Sequence, residues 1–456
     1  MATVTPVYPA TRRNTELALL VMAVVVATGA WAVVGLTEDG RLPPGLALYG
    51  GGLAGLAVLL HLVLRWKAAY ADPVLLPVAT LLNGLGLVVI HRLDLSSSRT
   101  DQAPRQLLWT AIGVVAAGAV LWLLRDHRVL RRYTFTAMVA GLVLLLLPLL
   151  PGIGRTINGA RIWIGIGPLS FQPGELAKIV LAVFFAGYLV VHRDALSLTG
   201  PKLLFLRLPR ARDLGPILVA WLASVGVLVL QRDLGTSLLF FGLFVAVLYV
   251  ATERVSWIVL GLLLFVAGAV LAATTFSHVQ ERVAIWLHPF APDNADQSYQ
   301  LVQGLYGMAN GGLLGTGLDR GRPDIVPFAN SDFIYSSIGE ELGLVGLFAV
   351  LLLYGVLVER GLRTAIAVRD GFGKLLAAGL AFSVTLQVFV VVGGVTRIIP
   401  LTGLTMPFLA AGGSSLVSNW IVVGLLLRIS DLARRPAPEV RNGPGDTGVT
   451  QAVRIP

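Results

Sequence analysis

Several ionisable side chains stand within long apolar runs, where charge costs free energy and therefore marks candidate functional residues. Glu175 and Lys178 are three residues apart at the start of one run, which places them on one face of a helix. Glu340 and Glu341 lie about two turns inside another run, which Asp332 opens. These groups could be ion pairs that hold helices in register. Because all lie near the same ends of their runs, they could instead line one polar cavity.

Further polar residues stand at the junctions of the apolar runs. Arg232 and Asp233 separate two runs, and Arg397 ends another. Ser414 and Ser415 follow two glycines near the start of the last run. Small hydroxyl residues of this kind could allow close helix packing, or could offer hydroxyl and backbone donors to a ligand. The sequence leaves both interpretations of the two serines open.

The longest stretch between apolar runs, residues 277–332, carries two carboxylates three residues apart, Asp293 and Asp296. Trp286, Tyr299 and several apolar residues accompany them, so the segment is predicted to be folded. A carboxylate here could act as a general base toward a hydroxyl group. It could also help to hold a divalent cation against a pyrophosphate. An Asx turn or an exposed loop charge would explain the same residues without any chemistry.

Membrane-spanning helices are the elements that must position these residues. Of the 456 residues, 56% are hydrophobic and 13% are charged, whereas a soluble domain carries roughly 25% charged residues. Runs of about 20 apolar residues are long enough to cross a bilayer. The pattern predicts an all-α polytopic membrane protein with about twelve spans. Their approximate limits are 17–36, 44–65, 73–91, 106–125, 132–151, 174–192, 215–231, 233–252, 256–276, 333–358, 373–396 and 405–428.

Lysine and arginine are concentrated at alternate junctions and at both ends of the chain. By the positive-inside rule these junctions and both termini are cytoplasmic, and residues 152–173 and 277–332 are extracytoplasmic. The junction after the third span, with Arg92, Arg99 and Arg105, is the exception to this pattern, and Asp94 and Asp101 partly balance its charge. The formal charge of +10 thus reflects orientation and not binding of nucleic acid, because the basic residues form no patch with interleaved aromatics.

Two residue types limit the possible chemistry. The chain has no cysteine, which excludes disulfides, thiol catalysis and thiolate metal sites. Its six histidines are scattered without the spacing of a ligand pair, so no metal site built from histidine is predicted.

Short motifs between about residue 155 and residue 430 follow one another in an order that is specific to one family. They are Asn158-Gly159-Ala160-Arg161-Ile162-Trp163-Ile164, Gln172-Pro173-Gly174-Glu175-Leu176-Ala177-Lys178, Asp233-Leu234-Gly235-Thr236, Arg282-Val283 with Trp286 and Pro289, Tyr299-Gln300-x-x-Gln303, Ser331-Asp332-Phe333-Ile334, Ile338-Gly339-Glu340-Glu341-Leu342-Gly343, Pro400-Leu401-Thr402-Gly403, Pro407-Phe408 and Gly412-Gly413-Ser414-Ser415. On these motifs the chain resembles the shape, elongation, division and sporulation (SEDS) family, which includes FtsW, RodA and SpoVE.

The resemblance implies a SEDS-type helical bundle with a large extracytoplasmic loop, in the bacterial inner membrane. It implies a peptidoglycan glycosyltransferase that polymerises lipid II and releases undecaprenyl pyrophosphate, for cell elongation or division. The implied partners are lipid II, a class B penicillin-binding protein and other membrane proteins of the elongation or division machinery. No organic cofactor is expected, whereas a divalent cation, Mg²⁺ or Mn²⁺, could assist the departure of pyrophosphate.

Site residues are carried over from the motifs. In the family, an aspartate of the large outer loop, shortly after the Arg-Val and Pro positions, is the catalytic residue. Asp293 matches it, but four positions separate it from Pro289 where many members have three, so Asp296 is the alternative. The residues predicted to bind substrate are Arg161, Trp163, Glu175, Lys178, Arg232, Asp233, Arg282, Gln303, Asp332, Glu340, Arg397, Ser414 and Ser415. Among them, Arg161, Lys178, Arg232 and Arg397 would offset the charge of the leaving pyrophosphate.

The chain departs from the usual family pattern in its N-terminal part. The loop that holds Arg161 and Trp163 follows the fifth predicted span, whereas it usually follows the third. Two extra spans are therefore predicted before the shared core, as in similar actinobacterial members. The predicted segments are a cytoplasmic start at 1–16, N-terminal helices at 17–151, the catalytic core at 152–430 and a disordered cytoplasmic tail at 431–456.

Two other functions would fit a bundle with internal polar groups. A transporter that flips lipid II needs polar groups along its whole path, whereas here they cluster on one side. A non-catalytic scaffold for cell morphogenesis would make the carboxylates of the outer loop dispensable.

Overall fold

The computed structural model describes residues 11–38, 40–43, 45–96, 101–157, 159–166, 169–197, 202–203, 206–207, 222, 226, 231 and 233–436. Helices dominate these ranges, in agreement with the predicted all-α polytopic class. The helices are α1 (Arg13–Glu38), α2 (Leu46–Lys67), α3 (Leu75–Ser96), α4 (Gln102–Leu123), α5 (Thr134–Leu146), α6 (Pro173–Ser197), α7 (Leu234–Thr252), α8 (Val255–Thr275), α9 (Ser277–Leu287), α10 (Ala295–Gly311), α11 (Ile334–Ala367), α12 (Gly371–Val395) and α13 (Gly413–Arg434).

Eleven helical segments among the described residues are long and apolar enough to cross a membrane; one of them is α5 with the 3-10 helices at both of its ends, His127–Leu149. They correspond to eleven of the twelve predicted spans. The other prediction, 215–231, falls almost wholly outside the described residues. The predicted start of the last span at 405 is wrong, because α13 begins at Gly413. Pro407 has no N–H for a helix hydrogen bond and Phe408 has a φ of +64°, so the chain ahead of Gly413 is irregular.

The central helices of the bundle are α3, α6, α12 and α13. Between 72% and 83% of the residues in their apolar windows are buried, compared with 11% for α8. Asp233 precedes α7 and accepts a hydrogen bond from the backbone N–H of Thr236 at 2.9 Å, which caps this helix. Pro173 occupies the first position of α6, where its missing N–H costs nothing. Asp233 and Pro173 thus favour the starts of two helices that face the candidate site.

A small antiparallel sheet, which the all-helical prediction did not include, fills the segment between α5 and α6. It consists of β1 (Gly154–Ile157), β2 (Ala160–Ile166) and β3 (Leu169–Phe171), in that order. Gly159, with a φ of +78°, lies in the turn between β1 and β2. A short hairpin pairs β4 (Lys202–Leu203) with β5 (Leu206–Arg207).

Both described ends of the chain are tied to the bundle. Glu16 in α1 is fully buried and hydrogen-bonds to Arg13 at 2.5 Å and to His61 of α2 at 2.6 Å. Asp431 is also fully buried and accepts a hydrogen bond from the backbone N–H of Tyr70 at 2.9 Å. Helices α1 and α13 therefore cross the boundaries of the segments predicted at 1–16 and 431–456, and residues 437–456 lie outside the description.

The segment between α8 and α11 is folded, as predicted for 277–332. It contains α9 and α10, joined through a turn of 3-10 helix at Pro292–Asn294. The hydroxyl of Ser298 donates to the carbonyl of Pro289 at 2.6 Å, and the amide of Gln300 donates to the carbonyl of Pro327 at 3.0 Å. These bonds fix α10 to the turns on either side of it. We refer to the end of the bundle that carries this segment as the loop end.

Helix α11 is broken at Gly343, where the chain after α10 fits into the gap. Gly343 has a φ of +65° inside an otherwise helical run. The N–H of Thr316 donates to the carbonyl of Glu340 at 3.0 Å, and the N–H of Leu344 donates to the carbonyl of Gly312 at 2.9 Å. The loop thus supplies partners for backbone groups on both sides of the break.

Replacing Gly343 with alanine is expected to destabilise the protein by about 2–4 kcal/mol. An alanine at positive φ is strained, and its Cβ would press against the backbone of Gly315 and Leu313. Gly355→Ala in the same helix is the matched control, because a Cβ there meets no atom within 4 Å. Thermal unfolding in detergent measures both variants. Equal stability of the two would contradict the role assigned to Gly343.

Candidate active site

Four chain segments bring charged residues together at the loop end of the bundle. They are the start of α6, the residue before α7, helix α9 and the residues before α11. Arg282 of α9 lies close enough to Asp233 and to Asp332 for its charge to act on both carboxyls. The charge of Glu175 also acts on Asp233, in the opposite sense to that of Arg282. Together with Lys178, these residues form what we call the charge cluster.

The Glu175 and Lys178 pair is a buried ion pair, as their spacing allowed. Lys178 Nζ lies 2.8 Å from Glu175 Oε2 and donates to Gln387 Oε1 of α12 at 3.0 Å. Gln387 in turn donates to the carbonyl of Thr405 at 2.9 Å. Lys178 is 1% exposed and Gln387 is fully buried. The pair therefore also holds α6 against α12 and against the irregular chain before α13.

Burial raises the pKa of both carboxyls beside Arg282. For Asp233, hydrogen bonds from Thr236 and the Arg282 charge oppose this rise in pKa, whereas the charge of Glu175 adds to it. For Asp332, a hydrogen bond from the Ser331 hydroxyl, 2.7 Å long, and the Arg282 charge oppose the rise. Arg282 itself donates to the carbonyl of Leu401 at 2.8 Å.

Replacing Arg282 with methionine is expected to move the acidic part of the stability profile to higher pH. The cation stabilises the charged form of Asp233 and Asp332, so its loss raises both pKa values further, and a higher pH is then needed to ionise them. The melting temperature measured against pH for this variant and for Arg320→Met, an exposed arginine of the same segment, tests the coupling. Superimposable profiles for the Arg282 variant and the unaltered protein would rule it out.

Asp293 and Asp296 lie on the surface at the turn that starts α10. Asp293 belongs to the 3-10 turn and Asp296 to the first turn of the helix, and both are exposed. Neither side chain forms a hydrogen bond or ion pair with a residue that the structure describes. The amide of the neighbouring Asn294 donates to the carbonyl of His288 at 3.0 Å, so it helps to shape the turn. Both carboxylates are thus available to a ligand.

Two predicted phosphate-binding arginines also fix the fold. Arg397, with a φ of +61°, donates to the carbonyls of Trp286 at 2.9 Å and Leu287 at 3.1 Å, while Trp286 Nε1 donates back to Arg397 at 3.1 Å. Arg161 donates to the carbonyls of Pro148 and Leu150, each at 3.1 Å. A guanidinium has five N–H donors, so both keep donors for an anionic oxygen. Arg397 also joins the end of α9 to the chain after α12.

The remaining predicted site residues are dispersed around these groups. Trp163 pairs with Arg155 across β1 and β2, and Gln303 is half-buried on α10. Glu340 is buried and accepts a hydrogen bond from the N–H of Arg322 at 2.8 Å. Ser414 and Ser415 are buried in the first turn of α13. Arg232 lies outside the described residues.

The sequence analysis missed two polar residues that organise the loop end. Gln387 stands within an apolar run. Polar residues in such runs are candidate functional residues, and this criterion would have identified Gln387. Arg92 was treated as an exception to the positive-inside pattern. It is buried, and its Nε lies 2.9 Å from Glu341 Oε1 and 2.5 Å from Asp319 Oδ1. Its charge is neutralised within the protein, which removes Arg92 from the exception.

The donor set does not fit a divalent cation held by the protein alone. Within the described ranges, no group of three or more histidine, aspartate or glutamate side chains is arranged to hold a metal ion. The predicted divalent cation therefore stays a prediction, and no step proposed below depends on it. What the site offers is exposed carboxylates at the start of α10 and cations on and beside α9, groups that could remove a proton from a hydroxyl and bind an anion.

Comparison with known proteins gives consistent matches over most of the chain. The FtsW/RodA/SpoVE family profile, described as "Cell cycle protein", matches residues 73–435, so α1 and α2 precede the matched part. The peptidoglycan glycosyltransferase RodA of Mycobacterium tuberculosis (strain ATCC 25618 / H37Rv) is 52% identical over 440 residues, which cover 95% of this chain and 93% of the relative. Stage V sporulation protein E of Bacillus subtilis (strain 168) is 33% identical over 376 residues, covering 81% of this chain and 99% of the relative.

A solved structure agrees with these relatives. One chain from a study of how a peptidoglycan synthase complex coordinates polymerization and crosslinking superimposes with a TM-score of 0.64 at 29% identity. The match covers 79% of this chain and 97% of that one. The family resemblance seen in the motifs is therefore confirmed over the whole bundle from α3 to α13. This chain belongs to the FtsW/RodA/SpoVE family of multi-pass membrane proteins.

Proposed function

We propose that this protein is a peptidoglycan glycosyltransferase that polymerises lipid II, with Asp293 as the general base. Relatives named for this activity are 52% identical over 95% of the chain, which supports the reaction. The assignment of Asp293 as the base is supported by its lack of a partner. Asp293 is exposed and has no hydrogen bond or ion pair within the described structure. A carboxylate without a partner can accept a proton from a bound substrate.

In the proposed reaction, the carboxylate of Asp293 removes the proton from the 4-hydroxyl of the acceptor sugar. The hydroxyl oxygen attacks the anomeric carbon of the donor and forms the new glycosidic bond. The bond between that carbon and the pyrophosphate oxygen breaks, and undecaprenyl pyrophosphate leaves with the electron pair. Asp296, three residues away, is the alternative base.

Cations must offset the charge that develops on the leaving pyrophosphate. Two candidates are associated with α9. Arg282 lies on this helix, and Arg397 donates hydrogen bonds to its last residues. Arg161 and Arg232 are also proposed to contact the pyrophosphate. Lys178 acts from deeper in the bundle, where Glu175 and Gln387 hold it. Glycan is polymerised outside the cytoplasm, so we assign the loop end to the extracytoplasmic face of the inner membrane and both termini to the cytoplasm.

A class B penicillin-binding protein is the proposed partner that cross-links the product. The similarity to a chain of a synthase complex that combines polymerization with crosslinking supports this proposal. Other membrane proteins of the elongation or division machinery would join the same assembly.

Incubation of the purified protein with labelled lipid II tests the proposed activity, alone and with a co-purified class B penicillin-binding protein. We expect a ladder of glycan strands on a gel, and its loss when lipid II is omitted or when Asp293 is replaced. Transfer of lipid II across vesicles without any glycan would identify a flippase instead. No product and no transfer, from protein shown to be folded, would favour a scaffold.

A further inference from the structure

The exposed face of α10 carries a row of polar and aromatic side chains that begins at the alternative base, Asp296. Asp296, Tyr299, Gln303, Tyr306 and Asn310 recur at spacings of three and four residues, which places them on one side of the helix. At a rise of 1.5 Å per residue, the row extends over about 21 Å. Its first member lies three residues after the proposed base.

These five side chains form no hydrogen bond with any residue that the structure describes. The other polar side chains of the same segment behave differently, since Ser298 and Gln300 both bond to backbone carbonyls. Ser298 and Gln300 therefore stabilise the fold of the segment. The five side chains of the row keep their hydrogen-bond donors and acceptors available to a ligand. A surface of this kind is suited to a ligand with many hydroxyl and amide groups.

Two of the five side chains are tyrosines with large exposed surfaces. Tyr299 is 44% exposed and Tyr306 is 56% exposed. The ring of Phe290, in the turn before Asp293, lies with its centroid 6.2 Å from that of Tyr306. The aromatic surface is thus continuous with the turn that holds the base. Aromatic faces pack well against the C–H faces of sugar rings, and the tyrosine hydroxyls can bond to sugar oxygens.

The charge of the row disfavours an anionic group lying directly on it. The row contains no cation, and Asp296 gives it a negative charge. A pyrophosphate or an anionic lipid headgroup would be repelled, whereas the sugar rings of a glycan, which present uncharged hydroxyl and acetamido groups, would not. We propose that this face of α10 binds the growing N-acetylated glycan strand next to the reaction centre. This assignment rests on the proposed function, because the glycan is its product.

Binding of soluble oligomers of N-acetylglucosamine tests the proposal without turnover. The intact protein carrying Asp293→Asn is titrated by isothermal calorimetry, with and without Tyr299→Ala and Tyr306→Ala together. We expect the two ring deletions to weaken binding about tenfold. Tyr133→Ala, at an exposed tyrosine near the opposite end of the bundle, is the matched control and should bind the oligomers like the parent. Equal affinity of all three proteins would overturn the proposal.

The length of the glycan product gives a second, independent readout. The double tyrosine variant with Asp293 intact should make shorter strands, and its mean strand length should fall by a larger factor than its rate of lipid II consumption. Tyr299→Phe with Tyr306→Phe keeps both rings and should recover most of the length. Unchanged strand length in the alanine variant would reject the site. Quenching of the fluorescence of Tyr299 and Tyr306 by groups attached to lipid tails would also reject it, because the two rings would then lie in the bilayer. Failure of the parent to make any glycan would reject the proposed activity but leave the binding measurement valid.

Discussion

Replacing Asp293 with asparagine is expected to lower glycan polymerisation by about 10²–10⁴-fold, the usual contribution of a general base. Asparagine keeps the size of the side chain but cannot take a proton from the acceptor hydroxyl. The side chain is exposed and has no described partner, so its replacement removes no contact that holds the turn together. The rate of strand formation from labelled lipid II measures the effect.

Asp296→Asn is the comparison that separates the two candidate bases, because this carboxylate is also exposed, also unpaired within the description and only three residues away. Glu281→Gln, at an exposed glutamate of the same segment outside the proposed site, is the control. We expect the Glu281 variant to keep nearly full activity, Asp296→Asn to lose less activity than Asp293→Asn, and all three variants to unfold at the temperature of the parent protein. The assignment moves to Asp296 if that variant is inactive while the Asp293 variant works. Equal and nearly full activity in both would remove the carboxylates from the mechanism.

Replacing Arg92 with methionine is expected to destabilise the protein by about 3–5 kcal/mol, as for a buried ion pair that loses one partner. Glu341, which is buried, and Asp319, which is partly buried, would both lose their cation. Arg92 Nη2 also donates to the carbonyl of Gly321 at 3.0 Å. The residue therefore joins α3 to α11 and to the chain between α10 and α11. Thermal unfolding in detergent, followed by tryptophan fluorescence, measures the loss.

Arg105→Met is the control for this prediction, since Arg105 is an exposed arginine at the start of α4. Its removal should change the free energy of unfolding by no more than about 0.5 kcal/mol. Adding Glu341→Gln to the Arg92 variant should restore part of the stability, because one of the two unpaired charges disappears. Similar losses from Arg92→Met and Arg105→Met would show that the network contributes nothing specific.

Eleven spans could be predicted from the sequence because the physical signal is strong. An apolar run as long as a bilayer is thick has few alternatives to a helix, since every backbone group must be satisfied within the run. The boundary of α13 was less predictable. Residues 405–412 are apolar enough to extend the run, but the backbone at Phe408 leaves the helical region there. Amino-acid composition indicates whether a segment lies within the membrane. It does not indicate where the backbone leaves the helical conformation.

The break at Gly343 was out of reach of sequence patterns. The apolar run of α11 continues through this position, and only contacts with residues 312–316 reveal why the backbone departs from the helix there. Those contacts join segments that are separated along the chain. A glycine permits the positive φ that the break requires, but its presence does not predict which segment of the chain enters the gap.

The candidate site shows the same division between local and distant contacts. The shared face of Glu175 and Lys178 followed from a spacing of three residues, and the structure pairs them at 2.8 Å. The pairing of Arg92 with Glu341 joins residues that are 249 positions apart, and no spacing rule predicts it. The motif analysis named Arg397 as a phosphate ligand, whereas its bonds to the end of α9 could only be found in three dimensions.

Labelling of a single introduced cysteine tests most directly whether the proposed base lies outside the cytoplasm. The chain has no cysteine, so Gln297→Cys, an exposed position beside the base, would carry the only thiol. A maleimide that cannot cross membranes should label it in intact cells, whereas it should label Arg363→Cys, at the opposite end of α11, only after permeabilisation. The reverse pattern, with Gln297→Cys protected until the cells are opened, would contradict the account.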